Sequence, residues 1–224
     1  MTFVQDDFQS RVDEIEAYFD FVKRVDEGAT LLISKVSKEP AYSTTARDDL
    51  LRTFRASAIL MLYNLMESTV TNAIEAVYDE LKTQKVHFDE CREEVRRVVL
   101  TNLKQHNPGD LTTRLQRIST DIIVETFRKD KVVSGNVDAR SIRELATEYG
   151  IDHPSEDGAA LLGVKTTRND LAHGSKSFAS VGREFATADV LRNKDKVIAY
   201  LRAMLANVAS YIQNQHYRAP IVHP

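Results

Sequence analysis

Arg168, Asn169, Asp170 and His173 place a guanidinium, an amide, a carboxylate and an imidazole within a turn and a half of helix, and Gly174 then stops the run. These groups suit chemistry at a phosphate, because an imidazole moves protons near neutral pH and a forked guanidinium holds spread negative charge. If the helix runs through Ala172 and Gly174 supplies a left-handed cap, His173 sits in the last turn. There the negative end of the helix dipole favours its protonated form, which can give up a proton and, once neutral, take one. Five positions on a regular helix put Arg168 and His173 roughly 140° apart and about 7.5 Å apart along the axis. One copy therefore converges poorly on one phosphate. Either His173 leaves helical geometry, or two chains lay their motifs side by side and each completes the other's site. Asn169 and Asp170, four and three residues before His173, are within reach of its ring and could fix its tautomer. The plainer alternative is that Asn, Asp, His and Gly are ordinary helix-end residues and Arg168 is a surface charge.

The wider stretch Thr167-Arg168-Asn169-Asp170-Leu171-Ala172-His173-Gly174 is followed by Ser177-Phe178, Val181-Gly182-Arg183 and Thr187 heading a long amphipathic segment. It resembles the HEPN superfamily, in particular the prokaryotic defence and toxin branch. The likeness is specific over Lys165 to Thr187, weaker around Glu67 and only architectural elsewhere. Arg168 and His173 match the two signature positions, Asn169 the polar residue after the Arg, and Asp170 a feature of many members. The resemblance implies an all-helical domain that dimerises across the motif, and a metal-independent endoribonuclease with no cofactor. RNA would be cut by attack of its own 2'-hydroxyl on the adjacent phosphate. The implied partners are RNA, a second copy through the motif helices, and an antitoxin or defence-complex protein holding a toxin or effector in check. The other reading is a non-catalytic helical module that binds a nucleotide, RNA or protein within a larger defence complex.

Composition bounds the elements that must position these groups. The 224 residues suffice for one sizeable domain, and a chain of this size buries roughly 70% of its unfolded surface. Only 8 Gly and 5 Pro break a chain that is 42% hydrophobic and 28% charged, which predicts an all-α antiparallel bundle with long N-terminal, central and C-terminal helices. The expected organisation is one domain over 1–217 and a flexible tail over 218–224. A net charge of −3 advertises no global nucleic-acid footprint. Locally, Lys165, Arg168, Lys176 and Arg183 stand against Asp170 alone between Val164 and Arg183, a modest basic patch in which Lys165, Lys176 and Arg183 are candidate RNA contacts. Arg183 could equally pair with Glu184. A single cysteine, Cys91, excludes an internal disulfide, and no stretch approaches the ~20 apolar residues of a membrane span. The expected location is the cytoplasm.

Along the chain, Phe8, Val12, Ile15, Phe19 and Val22 step by four and three as one face of a helix, and the pattern resumes at Ala29, Ile33 and Val36 after Asp26 and Gly28. Ser37 to Ala46 is the first loop, with Thr45 and Asp48 as a capping pair. A second helix runs from Ala46 to about Lys82, apolar almost all round between Ala56 and Met66 and so enclosed. Asn64, Glu67 and Ser68 are polar groups near that centre. They either tie helices together by internal hydrogen bonds or support the site, with Glu67 facing Arg168 or His173. His87 and Cys91 share a spacing that metal ligands use, but two ligands do not make a site, and an exposed helix start is expected. A third helix covers Glu90 to Lys104, Asn107 to Asp110 is a turn, and Leu111 to Phe127 a fourth helix ending in the charged 128–131. Asp138 caps Ala139 to Tyr149, Gly150 ends it, and Gly158 to Ala172 is the motif helix, seated by Leu161, Leu162, Val164 and Leu171. Ser175 to Ala186 is a long packed loop, Thr187 caps the last helix, and the chain frays from His216.

Overall fold

The computed structural model describes residues 1–29, 44–104, 122–123, 126–133 and 135–219. Among them the regular structure is helical, with one isolated antiparallel bridge between Cys91 and Arg218 and no strand. Among the described residues no helix is long and apolar enough to cross a membrane. The resumed pattern at Ile33 and Val36, the loop from Ser37, the turn at Asn107 to Asp110 and most of the fourth helix lie outside the described residues, as does the Thr45 side chain. The chain divides into two compact units, Asp6–Met66 with Asp157–Ala199, and Met1–Gln5 with Glu67–Glu156 and Tyr200–Pro224.

In the unit that carries the motif, α1 (Thr2–Asp26) buries Phe8, Val12, Ile15, Phe19, Val22 and Val25, the expected stripe. The helix gives way at Gly28, whose φ of +74° few other residues adopt. The following helix, α2 (Thr44–Thr83), meets it through Val22, Val25 and Leu51, with Tyr18, Phe21 and Phe54 packed on that cluster. Within α2, Ala56, Ala58, Ile59, Leu62, Tyr63, Leu65 and Met66 are all buried, as a run apolar on nearly every side requires. Asn64 departs from the pattern. It faces solvent, and Glu67 is only half-buried, so neither is the buried polar group that the run suggested.

The other unit is built on α3 (Glu93–Lys104), a single turn α4 (Lys129–Val132) and α5 (Ala139–Tyr149), with α3 packed on α5. The helix α5 is bounded as its sequence dictates. The Asp138 carboxylate accepts from Ser141 N–H at 2.9 Å, and Gly150 takes the left-handed cap at φ +69°. Gly150 is doubly constrained, because a Cβ there would lie 2.4 Å from Arg92 Cζ, and the Arg92 guanidinium donates to the Gly150 carbonyl at 2.8 Å.

Two expectations fail in this unit. The third helix begins at Glu93, after a 3-10 turn at Phe88–Glu90, so His87 and Cys91 do not share a helix face. Cys91 is buried with its Sγ 3.6 Å from the His87 carbonyl, and burial pushes the thiol up to about 11. The end of the chain does not fray where expected either. Tyr217 is fully buried, its carbonyl accepts from Arg92 N–H at 2.8 Å, and Ala219 N–H donates to Glu90 O at 2.8 Å. Backbone pairing with residues 90–92 therefore holds the chain through 219, and 220–224 lie outside the described residues.

A buried tyrosine cluster completes the unit. Tyr78 and Tyr149 share a hydroxyl–hydroxyl bond at 3.2 Å, and Tyr211 donates to the Tyr149 carbonyl at 2.8 Å. Burial is the main cause in each case: it raises Tyr78 to about 12, carries Tyr211 higher still and lifts Tyr149 well above the ordinary phenol value. Between the ordinary phenol value near 10 and these raised values the unfolded chain loses protons that the folded chain keeps, so stability falls as pH rises. The midpoint of urea unfolding is expected to be flat from about pH 7 to 9 and to drop steeply above about 10. Replacing both Tyr78 and Tyr149 by Phe should flatten that drop.

Candidate active site

The motif helix α6 spans Ala159–Ala172, and the Asp157 carboxylate accepts from Ala159 N–H at 3.0 Å at its start. Its buried residues, Ala160, Leu161, Val164 and Thr167, recur every three or four positions and define one face. Leu161 and Val164 seat the helix as expected. Leu162 does not, being 54% exposed, and Leu171 is only half-buried. Four residues beyond Val164, Arg168 lies at the edge of the buried stripe and is itself half-buried, whereas His173 is exposed.

The helix ends as its residues require. His173 is the cap residue, at φ −88° and ψ 0°, with its N–H on Asn169 O at 3.0 Å. Gly174 follows at φ +69°, with nothing within 4 Å of the position a Cβ would take. Gly174 N–H returns to Leu171 O at 3.2 Å, and Lys176 N–H to Asp170 O at 3.2 Å. These bonds satisfy carbonyls that the last turn would otherwise leave unpaired. The imidazole is thus carried on a short, closed turn rather than on a loose loop.

Arg168 is held on two sides. Its Cζ stands 4.5 Å from the centroid of the Tyr63 ring, and one terminal nitrogen donates to the Asn169 amide oxygen at 3.1 Å. Tyr63 is 1% exposed, so the guanidinium rests on the face of a ring fixed in the core of α2. The Asn169 amide oxygen accepts from Arg168 and not from the His173 ring, which corrects the expected role in setting the tautomer. Asp170 is corrected in the same way. Its carboxylate meets Ser175 Oγ at 3.3 Å and Lys176 Nζ at 3.3 Å, and so ties down the turn after the motif.

The cations of the basic patch are treated unequally. Lys176 lies between Asp170 and Glu184, 2.9 Å from the latter, so its charge is largely cancelled before any phosphate arrives. Glu184 therefore pairs with Lys176 and not with Arg183, which is exposed and in no ion pair among the described residues. Lys165 is half-buried on α6. Glu67 and Asn64 stand on α2, and Glu67 belongs to the unit that does not contain the motif.

The stretch after the motif is not a loop. Ser177 caps a helix, α7 (Phe178–Glu184), accepting from Ser180 N–H at 3.1 Å, and α7 packs on α6. Gly182 permits this, because a Cβ there would lie 1.9 Å from the backbone oxygen of Arg52 on α2. The last helix, α8 (Thr187–Gln213), starts at Thr187, but Thr187 is not its cap. Its hydroxyl accepts from Arg55 Nε at 2.9 Å, and Asp189 accepts from Ala186 N–H at 3.0 Å in the capping role.

Tyr63 is the residue that spacing alone did not reveal. It sits inside an apolar run where any large side chain reads as core, and nothing local links position 63 to position 168. Only the packing of α6 on α2 does so.

A family model for a MAE_28990-like HEPN domain matches residues 2–217. No curated protein and no solved structure matches the chain. A match over nearly the whole length, on an all-helical chain with Arg168 and His173 at the end of one helix, places this protein in the HEPN superfamily.

Proposed function

We propose that the chain is a metal-independent RNA endonuclease in which His173 moves protons and Arg168 stabilises the charge that develops on the phosphate. The observation that carries this reading is the contrast between the two side chains. The guanidinium is fixed on Tyr63, as a preorganised charge should be, and the imidazole stands exposed on a closed turn, as a group that meets substrate should. In the reaction a base takes the proton of the ribose 2'-hydroxyl, and that oxygen attacks the adjacent phosphorus. The bond from phosphorus to the 5'-oxygen breaks, and the leaving oxygen takes up a proton. The products are a 2',3'-cyclic phosphate and a 5'-hydroxyl. Asn169 supports Arg168, Asp170 holds the turn under His173, and Lys165 and Arg183 are the cations offered to the RNA backbone. Glu67, half-buried on α2, remains a proposed support.

Two proton transfers and separated Arg and His side chains are best served by two copies of the motif. The outer face of α6 supports pairing with a second copy, because Leu162 is exposed there. An RNA-cutting dimer of this kind fits a toxin or effector in prokaryotic defence that a partner protein holds in check.

The decisive experiment is incubation of the purified protein with RNA in excess chelator. Fragments ending in 2',3'-cyclic phosphate are expected, with DNA and 2'-O-methylated RNA left uncut. Strict dependence on a divalent metal, or cleavage of DNA, would refute the scheme. Binding of RNA without turnover would instead favour the non-catalytic module.

A further inference from the structure

We infer that Tyr63 is a positioning residue for Arg168, its buried ring face acting as the platform that sets the plane and height of the guanidinium; the inference rests on the nuclease reading for its kinetic consequence but not for the contact itself. A guanidinium over an aromatic face is attracted by the ring quadrupole, and more strongly when water is excluded from one side. Here the ring is in the core, at 1% exposure, and the guanidinium is 4.5 Å above it. The Asn169 amide at 3.1 Å steers the fork from the side, so rotation and tilt are both restricted.

The consequence is geometric. Arg168 is a long side chain with several rotatable bonds, and a charge that wanders by an ångström loses much of its effect on a transition state. A buried aromatic residue from α2 removes that freedom, and a lysine at 168 would not recover it, because an ammonium has neither the plane nor the fork. Tyr63→Phe preserves the face, whereas Tyr63→Leu keeps the site apolar and removes it.

The test compares these two variants with the wild type by thermal unfolding, by RNA cleavage kinetics, and by the proton shifts of the Arg168 side chain in nuclear magnetic resonance spectra. The Arg168 δ-protons are expected at ring-current-shifted positions in the wild type and Tyr63→Phe, and near ordinary arginine values in Tyr63→Leu. The kcat of Tyr63→Phe should stay within about threefold of wild type, and that of Tyr63→Leu should fall by about ten- to a hundredfold with KM little changed. Unshifted Arg168 protons in the wild type would overturn the inference. So would a Tyr63→Leu protein that folds and cleaves as the wild type does, or a Tyr63→Phe protein as impaired as Tyr63→Leu. If the wild type cuts no RNA, the nuclease reading fails, and the proton shifts still decide whether Tyr63 holds Arg168.

Discussion

Replacing His173 by alanine is expected to lower RNA cleavage by about a thousandfold while leaving helical content and unfolding midpoint unchanged. The side chain is exposed and its backbone, not its ring, makes the cap, with N–H on Asn169 O at 3.0 Å. Its removal therefore takes away a proton carrier and little stability. Arg168→Ala should cost about a hundredfold or more in cleavage. It should also cost some stability, because it strips the cover from a buried tyrosine face. The two substitutions are thus distinguishable by calorimetry as well as by kinetics. Circular dichroism and gel-based cleavage on the same preparations check this. A His173→Ala protein that cleaves RNA normally would remove the assignment.

The second large effect is on folding. Gly182→Ala should destabilise the protein by about 3 kcal/mol, enough to lower its unfolding midpoint by several degrees. A methyl group at that position would meet the Arg52 carbonyl oxygen at 1.9 Å and its carbon at 2.4 Å, and these are backbone atoms of α2 that no side-chain rotation can move aside. Either α7 lifts from α2 or α2 bends. Because α7 also carries Glu184, which holds Lys176 and through it Asp170, cleavage should fall together with stability. Gly163→Ala serves as the control. With nothing within 4 Å of its Cβ position and a place in the middle of α6, it should raise the midpoint slightly or leave it unchanged. Thermal unfolding of the pair, at one pH and one protein concentration, separates a steric cause from a general intolerance of glycine substitution.

Much of the architecture was legible in local pattern. The spacing of Phe8, Val12, Ile15, Phe19 and Val22 is enough to define a buried face, because a helix returns to the same side every three to four residues. Asp138 and Gly150 bounded their helix for equally local reasons, one a carboxylate able to accept a backbone N–H, the other a residue at ease at positive φ. The end of the motif helix, with His173 as its cap and Gly174 at φ +69°, followed from the same rule.

What failed were inferences that depended on which neighbour a group meets in the fold. Leu162 has the same chemistry as Leu161 and differs only in the side of α6 it occupies, and which side faces the core is set by where α2 lies. Thr187 is a good capping type, yet its hydroxyl serves Arg55, 132 positions earlier. Ser175 to Ala186 read as a long packed loop, yet a helix forms there because Gly182 lets its backbone lie against that of Arg52. Asn169 and Asp170 were within reach of the His173 ring by helical spacing, but Arg168 and the Ser175–Lys176 turn compete for them and hold them.

The residues around one helix end, through their resemblance to the HEPN superfamily, pointed to the family and to the two groups expected to act, while helix periodicity and capping, as properties of neighbouring residues, placed those groups at the end of α6. Tertiary structure alone decided how the motif is held, with Arg168 on the ring of Tyr63 and α7 against the backbone of Arg52. Those contacts depend on which faces of separate helices meet, and that is a property of the packed core that no single stretch of the chain encodes.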